Sequence, residues 1–263
     1  MIKFFRRIRY DLMENNKTGK YLKYAIGEII LVVIGILVAL QINNYNEYRK
    51  DRNKEQIILK QLKEDYEANL EQLEQKMEMR NIIVNSAFNI FKFIDHPDKV
   101  NRDSLIINIA NICNDPTFDP IQNDLISSGN LRLISNERLK RLLSNWSSEV
   151  VAVQEVELIW SNKVHQQLGP VMGKLGITRD VTNSFWKDTD QLWLLEKKQN
   201  TKESAIGTSK LNVPVKEILS SRELEGLSAM GLSLNTAANL QSETLYKRIQ
   251  EILQEIENEI KYE

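Results

Sequence analysis

Two histidines, one cysteine and 36 acidic side chains are the raw material for chemistry in this chain. His96 and His165 lie far apart in sequence, and Cys113 stands alone. Spacings of the kind that bind zinc therefore do not occur. Cys113 has no partner for an internal disulfide and reads as a small buried apolar residue. The acidic runs Glu64-Asp65-Glu67 and Glu251…Glu255…Glu259 are interspersed with Lys and Arg and lack a Glu-x-x-His pair. They read as solvated helix faces rather than as a di-metal site. Glu155 and Glu157 precede His165, but at a spacing that matches no ligand pattern. No Gly-rich phosphate loop, H-E-x-x-H or G-x-S-x-G occurs. The expectation is a protein without catalytic, metal or cofactor residues, and not an enzyme.

One ionisable residue stands out, because Glu28 sits among apolar neighbours in Ala25–Ile42, AIGEIILVVIGILVALQI. A carboxylate in such a run is costly unless it is protonated, paired or near lipid headgroups. It could serve as an ion site or an interhelix contact. It could equally snorkel to an interface, bonded to Tyr24 one turn earlier. The run itself predicts a membrane-spanning helix. Ile29–Leu40 is apolar without interruption and covers about 18 Å; extended to Tyr21 and Ile42 the helix reaches about 33 Å, enough for a ~30 Å hydrocarbon core. Tyr24 and Tyr45 then fall near the two interfaces. The basic start is too long for a signal peptide, and Val38–Asn43 lacks an A-x-A exit, so an uncleaved anchor is expected.

Lys3, Arg6, Arg7, Arg9, Lys17, Lys20 and Lys23 precede the run; Arg49, Lys50, Arg52 and Lys54 follow it. That bias of seven to four favours the N-terminus in the cytoplasm and the large C-terminal domain in the periplasm, with the chain in a bacterial inner membrane; a cytoplasmic C-terminal domain is the alternative. Ile2, Phe5, Ile8 and Leu12 share a helical face opposite Lys3, Arg6 and Arg7. Residues 1–20 thus read either as a basic amphipathic segment on an anionic leaflet or as a tail whose charges only set topology. Gly27, Gly35 and Ala39 form a stripe of small residues that permits close helix approach. The bilayer is one expected partner, and a second copy or another membrane protein is the other. With 35 Lys+Arg against 36 Asp+Glu and a net charge of −1, nucleic acid is not an expected partner.

The remaining chain is water-compatible, with 27% charged residues, and long enough for one core. Period-2 alternation is absent after residue 42. Leu59, Leu62, Tyr66, Leu70, Leu73, Met77, Val84, Ala87, Phe91 and Ile94 instead recur at steps of three and four, with Arg80 filling one seam position. This predicts a long amphipathic helix, ended by Asp95-His96-Pro97 and preceded by a polar stalk over 43–58. Anchor and helix together would form one rod of about 110 Å, from Tyr21 to Ile94. A helix is expected at 102–113. Another is expected at 119–129, capped by Asp119 with Pro120 in its first turn and closed by a left-handed Gly129. Ser135 should cap a third, with Ile134 and Leu139 as a hydrophobic staple, running through Trp146, Val150, Val153 and Glu157 until Gly169-Pro170 interrupts it. Residues 176–215 are the least regular. Ser220 and Glu223 then form a capping box for a helix to about Ile260. The fold class is all-α: a transmembrane helix (21–42) running into an antiparallel helical bundle (59–263).

The start MIKFFRRIR, the stretch YAIGEIILVVIGILVALQINNYNE and the segment DLISSGNLRLISNERLKRLLSNW together resemble an uncharacterised family of small single-pass bacterial membrane proteins. Its members have a basic N-terminus and a GEI-containing span, and more often carry Trp where Tyr45 stands. The resemblance implies the single-pass architecture and supplies no activity. Three function classes remain open. The first is an anchored helical scaffold or interaction protein of the envelope. The second is a periplasmic ligand-sensing domain, similar to four-helix receptor modules. It would signal through a partner and hold a small molecule, unidentified by the sequence, near Trp146, Trp160, Trp186 or Trp193. The third is an accessory subunit of a channel or transporter, with Glu28 lining a pore.

Overall fold

The computed structural model describes Tyr10, residues 18–122, Leu125, residues 128–188 and residues 206–261. Arg6, Arg7 and Trp193 lie outside the described residues, as do the side chains of Tyr21 and Tyr24. Within the described residues the fold is all-α. Its helices are α1 (Thr18–Asp95), α2 (Arg102–Ile112), α3 (Glu137–Lys163), α4 (Gly169–Lys174), α5 (Thr178–Asp188), α6 (Val215–Leu219) and α7 (Arg222–Glu259). The chain divides into two compact units, Met1–Ile57 and Ile58–Glu263.

In the first unit, the apolar side chains from Ile29 to Leu40 are exposed around the whole helix. This is the one helix among the described residues long and apolar enough to cross a membrane. Downstream the helix turns polar. The Arg52 guanidinium pairs with Glu55 and lies 5.4 Å from the centre of the Tyr48 ring. Glu28 is half-buried and Tyr45 exposed, and a Cβ added at Gly27 or Gly35 would meet nothing within 4 Å.

The second unit is built on three long helices: α1 from Ile58 onward, α3 and α7. The α1 seam is a heptad stripe with steps of three and four: Leu59, Leu62, Tyr66, Asn69, Leu73, Lys76, Arg80, Ile83, Ala87 and Ile90. Nine of these ten are at most 1% exposed, and Lys76 is half-buried. The seam therefore runs through Asn69 and Lys76, one residue before the expected Leu70 and Met77. α1 ends at Asp95; His96, constrained by Pro97, is extended (φ −134°), and a 3₁₀ turn over Pro97–Lys99 follows.

The expected helix over 119–129 does not start at Asp119: residues 114–122 are a strap without helix, and 123, 124, 126 and 127 lie outside the described residues. Side chains of the long helices take the backbone groups that a helix would have paired internally. Asn69 accepts from the Ile121 N–H at 2.7 Å and donates to the Ile121 carbonyl at 3.1 Å. Gln72 accepts from the Asp119 N–H at 3.0 Å, and Gln154 donates to the Phe118 carbonyl at 2.9 Å. Among the described residues Asp119 and Pro120 thus cap no helix; Phe118 and Pro120 are buried in the strap. Gly129 is left-handed (φ +70°), as the turn into the 3₁₀ segment Asn130–Leu133 requires.

The strap carries the chain back along α1, from Asn111 beside Ser86 to Ile121 beside Asn69. α3 consequently starts at the same end as α1 and runs parallel to it, as the contacts Tyr66–Trp146 and Arg80–Glu157 show. α7 is antiparallel to both, with Lys63 on Glu257 and Arg248 on Glu149. The antiparallel arrangement expected for neighbouring helices holds for α7 and not for α1 against α3.

Three further boundaries shift for local reasons. Asn136, not Ser135, caps α3; its Oδ1 accepts from the Leu139 N–H at 3.0 Å, while its Nδ2 donates to Glu255 and Glu259 on α7. Ser221, not Ser220, caps α7 by accepting from the Leu224 N–H, because Ser220 ends α6; Glu223 consequently stands at the second helical position. Gly169-Pro170 does not break the chain's helical path. A π-turn over Val164–Leu168 widens the helix just before a proline that has no N–H to donate. Within the supposedly irregular 176–215, α5 is a regular helix, held to α2 by the Arg102–Asp180 ion pair at 2.7 Å.

Two apolar clusters fill the unit. One joins Leu59–Leu73 to Leu139–Val153 and Leu245–Ile260; the other joins Ile83–Ile90 to α2, Trp160 and the start of α7. In the second cluster the Trp160 ring packs on Gly231, where an added Cβ would lie 2.7 Å from the ring. The ring is fixed by its Nε1–H, which donates to the Asn114 carbonyl at 2.8 Å. Gly231→Ala is expected to lower stability by about 1–3 kcal/mol, although alanine is the better helix former. Thermal unfolding of the detergent-solubilised full chain, followed by Trp fluorescence, checks this; an unchanged or raised midpoint would contradict it.

Candidate functional site

Between the two apolar clusters lies a polar layer. Arg80 on α1 and Glu157 on α3 form an ion pair whose side chains are 0% and 1% exposed. Arg80 Nη1 also donates to Ser242 Oγ at 2.8 Å and Asn239 Oδ1 at 3.2 Å, both on α7. Glu157 Oε2 accepts from the Phe118 N–H of the strap at 2.9 Å. Asn239 Nδ2 returns to Asn81 Oδ1 at 2.8 Å. Four segments of chain therefore meet at one charged pair. Burial pushes the Glu157 carboxyl up and the Arg80 guanidinium down from their ordinary values, and their mutual attraction opposes both shifts.

Beside this layer a cleft of about 410 Å³ opens between α1, the strap and α5, lined by Lys76, Met79, Cys113, Asp115, Thr117 and Phe185 among others. Asp115 Oδ2 accepts from Ser161 Oγ at 3.0 Å and contacts His165 Nε2 at 2.9 Å. Lys76 is half-buried, and burial lowers its ammonium pKa against the pull of Glu157 and Asp115. The Cys113 thiol donates to the Ile109 carbonyl at 3.1 Å, and burial, then Asp115, pushes its pKa up to about 12. It is a poor nucleophile at neutral pH. A second, more open groove of about 450 Å³ is lined by Glu74, Met77, Glu78, Asn81, Glu243, Tyr246 and Lys247. There Tyr246 is already bonded to Glu74.

Trp146, Trp160 and Trp186 lie in three different surroundings. Trp146 packs edge-on against Tyr66 at 5.0 Å in one cluster, Trp160 belongs to the other, and Trp186 is 39% exposed beside Phe185. Glu155 faces solvent, away from Glu157. Among the described residues no group of three His, Cys, Asp or Glu side chains is placed to hold a metal ion. Sequence reading did place Arg80 in the α1 seam and Glu157 among the inward residues of α3. Their pairing was missed, although opposite charges at core positions of two helices are the signal for it.

Removing one partner leaves the other buried and unpaired, so Arg80→Met and Glu157→Met are each expected to cost about 3–5 kcal/mol. The double substitution is expected to recover most of that loss. Urea unfolding of the full chain in detergent, read by Trp fluorescence, measures the cycle; additive losses would contradict a direct pair.

A family model described as "Family of unknown function (DUF6090)" matches residues 28–94, a stretch that lies within α1. No curated protein and no solved structure matches the chain.

Proposed function

We propose that the protein is a single-pass, membrane-anchored helical scaffold or interaction protein of the bacterial envelope, without catalytic activity. Its N-terminus lies in the cytoplasm and its helical bundle in the periplasm. One observation carries the anchor: ten aliphatic side chains between Ile29 and Leu40 are exposed on every side of α1. At about 1.5–3 kcal/mol each, keeping them in water would cost roughly 15–30 kcal/mol, which rivals or exceeds the net stability of a whole domain. Lipid removes that cost without a protein partner. The seven-to-four Lys/Arg bias supports the orientation. The interaction role rests on the bundle, whose helices are fixed in register by the polar layer and so present a defined surface. A second copy or another membrane protein is the partner this reading expects.

The protein is expected to stay in the membrane pellet after alkaline carbonate washing. A Lys210→Cys variant, exposed in the bundle, is expected to react with a membrane-impermeant maleimide on cells whose outer membrane alone is permeabilised. Wild-type Cys113, with its raised pKa, gives little background. Release by carbonate would remove the anchor, and labelling only after inner-membrane lysis would reverse the topology.

Gly35 is surrounded by open space, so Gly35→Leu leaves the single chain undisturbed. If the Gly27/Gly35/Ala39 stripe joins two copies, the bulkier side chain separates them. Light scattering in mild detergent is expected to show an oligomer for the wild type and a monomer for the variant. An unchanged mass would place any self-association elsewhere.

A further inference from the structure

Lys76 occupies a seam position of α1 yet makes no hydrogen bond or ion pair with any described residue. Its neighbours in the same seam do make such contacts: Asn69 bonds the strap, and both terminal nitrogens of Arg80 are bonded, although its buried Nε is not. The nearby carboxylates do not serve Lys76 by contact. Glu157 is committed to Arg80 and the Phe118 N–H. Asp115 lines the same cleft and attracts Lys76 from a distance, without the N–O approach of 4.0 Å or less that defines an ion pair. Ser161 and His165 hold Asp115 through Oδ2 alone, so among the described residues Oδ1 accepts no hydrogen bond. The cleft thus has a cationic pole and an anionic pole that face shared space and do not neutralise each other directly. Met79 and Phe185 add apolar wall. A partly desolvated ammonium of this kind calls for an anionic partner. The volume of about 410 Å³ lies within the roughly 300–1,000 Å³ of small-molecule sites.

We propose that this cleft binds a small zwitterion of the α-amino-acid class, with its carboxylate on Lys76 Nζ and its ammonium on Asp115 Oδ1. A simple anion would meet the Asp115 carboxylate, whose Oδ1 accepts no hydrogen bond among the described residues, and a simple cation would meet Lys76. A ligand carrying both charges satisfies the two poles at once. The apolar wall beside Met79 and Phe185 receives the ligand's side chain and selects an aliphatic or thioether group over a charged one.

The test uses the full-length protein in dodecyl maltoside. Free L-α-amino acids are screened singly by thermal shift, and those that raise the melting temperature are titrated calorimetrically. For the amino acid that binds, the N-acetyl derivative and the α-carboxamide are expected to bind about tenfold or more weaker, one ionic contact being lost in each. Lys76→Met is expected to weaken the free amino acid by a similar factor while keeping its circular dichroism, since it removes a charge that holds nothing in the bundle. Asp115→Asn retains an acceptor for Ser161 and His165 and is expected to bring the free and N-acetyl forms to similar affinity. The proposal is overturned if no free amino acid binds, if blocked and free forms bind alike to the wild type, or if Lys76→Met binds as the wild type does.

Discussion

The bundle depends on placing one guanidinium and one carboxylate out of water at the same point. Arg80 and Glu157 are each too costly to bury alone. Their joint burial therefore fixes the relative height of α1 and α3. The Ser242 and Asn239 contacts extend the constraint to α7, and the Phe118 N–H extends it to the strap. Sliding α3 by one turn would still leave apolar side chains of α3 against Leu59, Leu62 and Leu73 of α1. It would, however, strand two charges in the layer between them. The apolar clusters supply most of the driving force, and the polar layer selects one register from the several they would tolerate.

The strap shows the same logic in the backbone. Phe118 and Pro120 are drawn inward by their apolar side chains, and the peptide groups beside them then need partners. Asn69, Gln72, Gln154 and Glu157 provide these from α1 and α3. Because those four residues are spread along the two helices, the chain is held extended for a long stretch and returns to the end where Tyr66 lies. That return makes α1 and α3 parallel. The side chains that look like solvated polar residues in the helix sequences are, in this fold, the pairing edge for a third piece of backbone.

Where burial follows from residue type alone, the sequence was readable. The apolar run, the end of α1 at Asp95 before Pro97, and the inward face of α7 from Leu224 to Ile256 all rest on local composition and period. The α1 seam was displaced because apolar continuity favoured Leu70 and Met77 over Asn69 and Lys76, whereas strict three-four spacing from Leu59 leads to the polar pair. The helix start assigned to Asp119 had sound local signals in Asp119 and Pro120, but long-range hydrogen bonds from α1 to residues 119 and 121 outweighed them. Caps moved by one residue where two candidates stand side by side: Asn136 gains Glu255 and Glu259, contacts that become visible only once α7 is in place. Trp160 and Gly231 illustrate the same limit, since a glycine that weakens an isolated helix is the site of a ring contact in the bundle.

Asn69, Lys76 and Arg80 stand at three polar positions in one seam, and the difference among them carries more information than their polarity. Asn69 bonds the strap and Arg80 pairs with Glu157 in the layer, so each finds its charged or polar partners inside the protein. An apolar residue at 76 would continue the seam, extend the Leu59–Leu73 cluster toward Ile83 and remove an ammonium whose burial is unfavourable. Packing alone thus argues against lysine at this position, and the bundle's own hydrogen bonds do not argue for it. A residue that works against the local rule in a structure that otherwise obeys it is where a demand other than folding is expected. The cleft at Lys76, with Asp115 also in its lining, is a place where that demand can be met from solution.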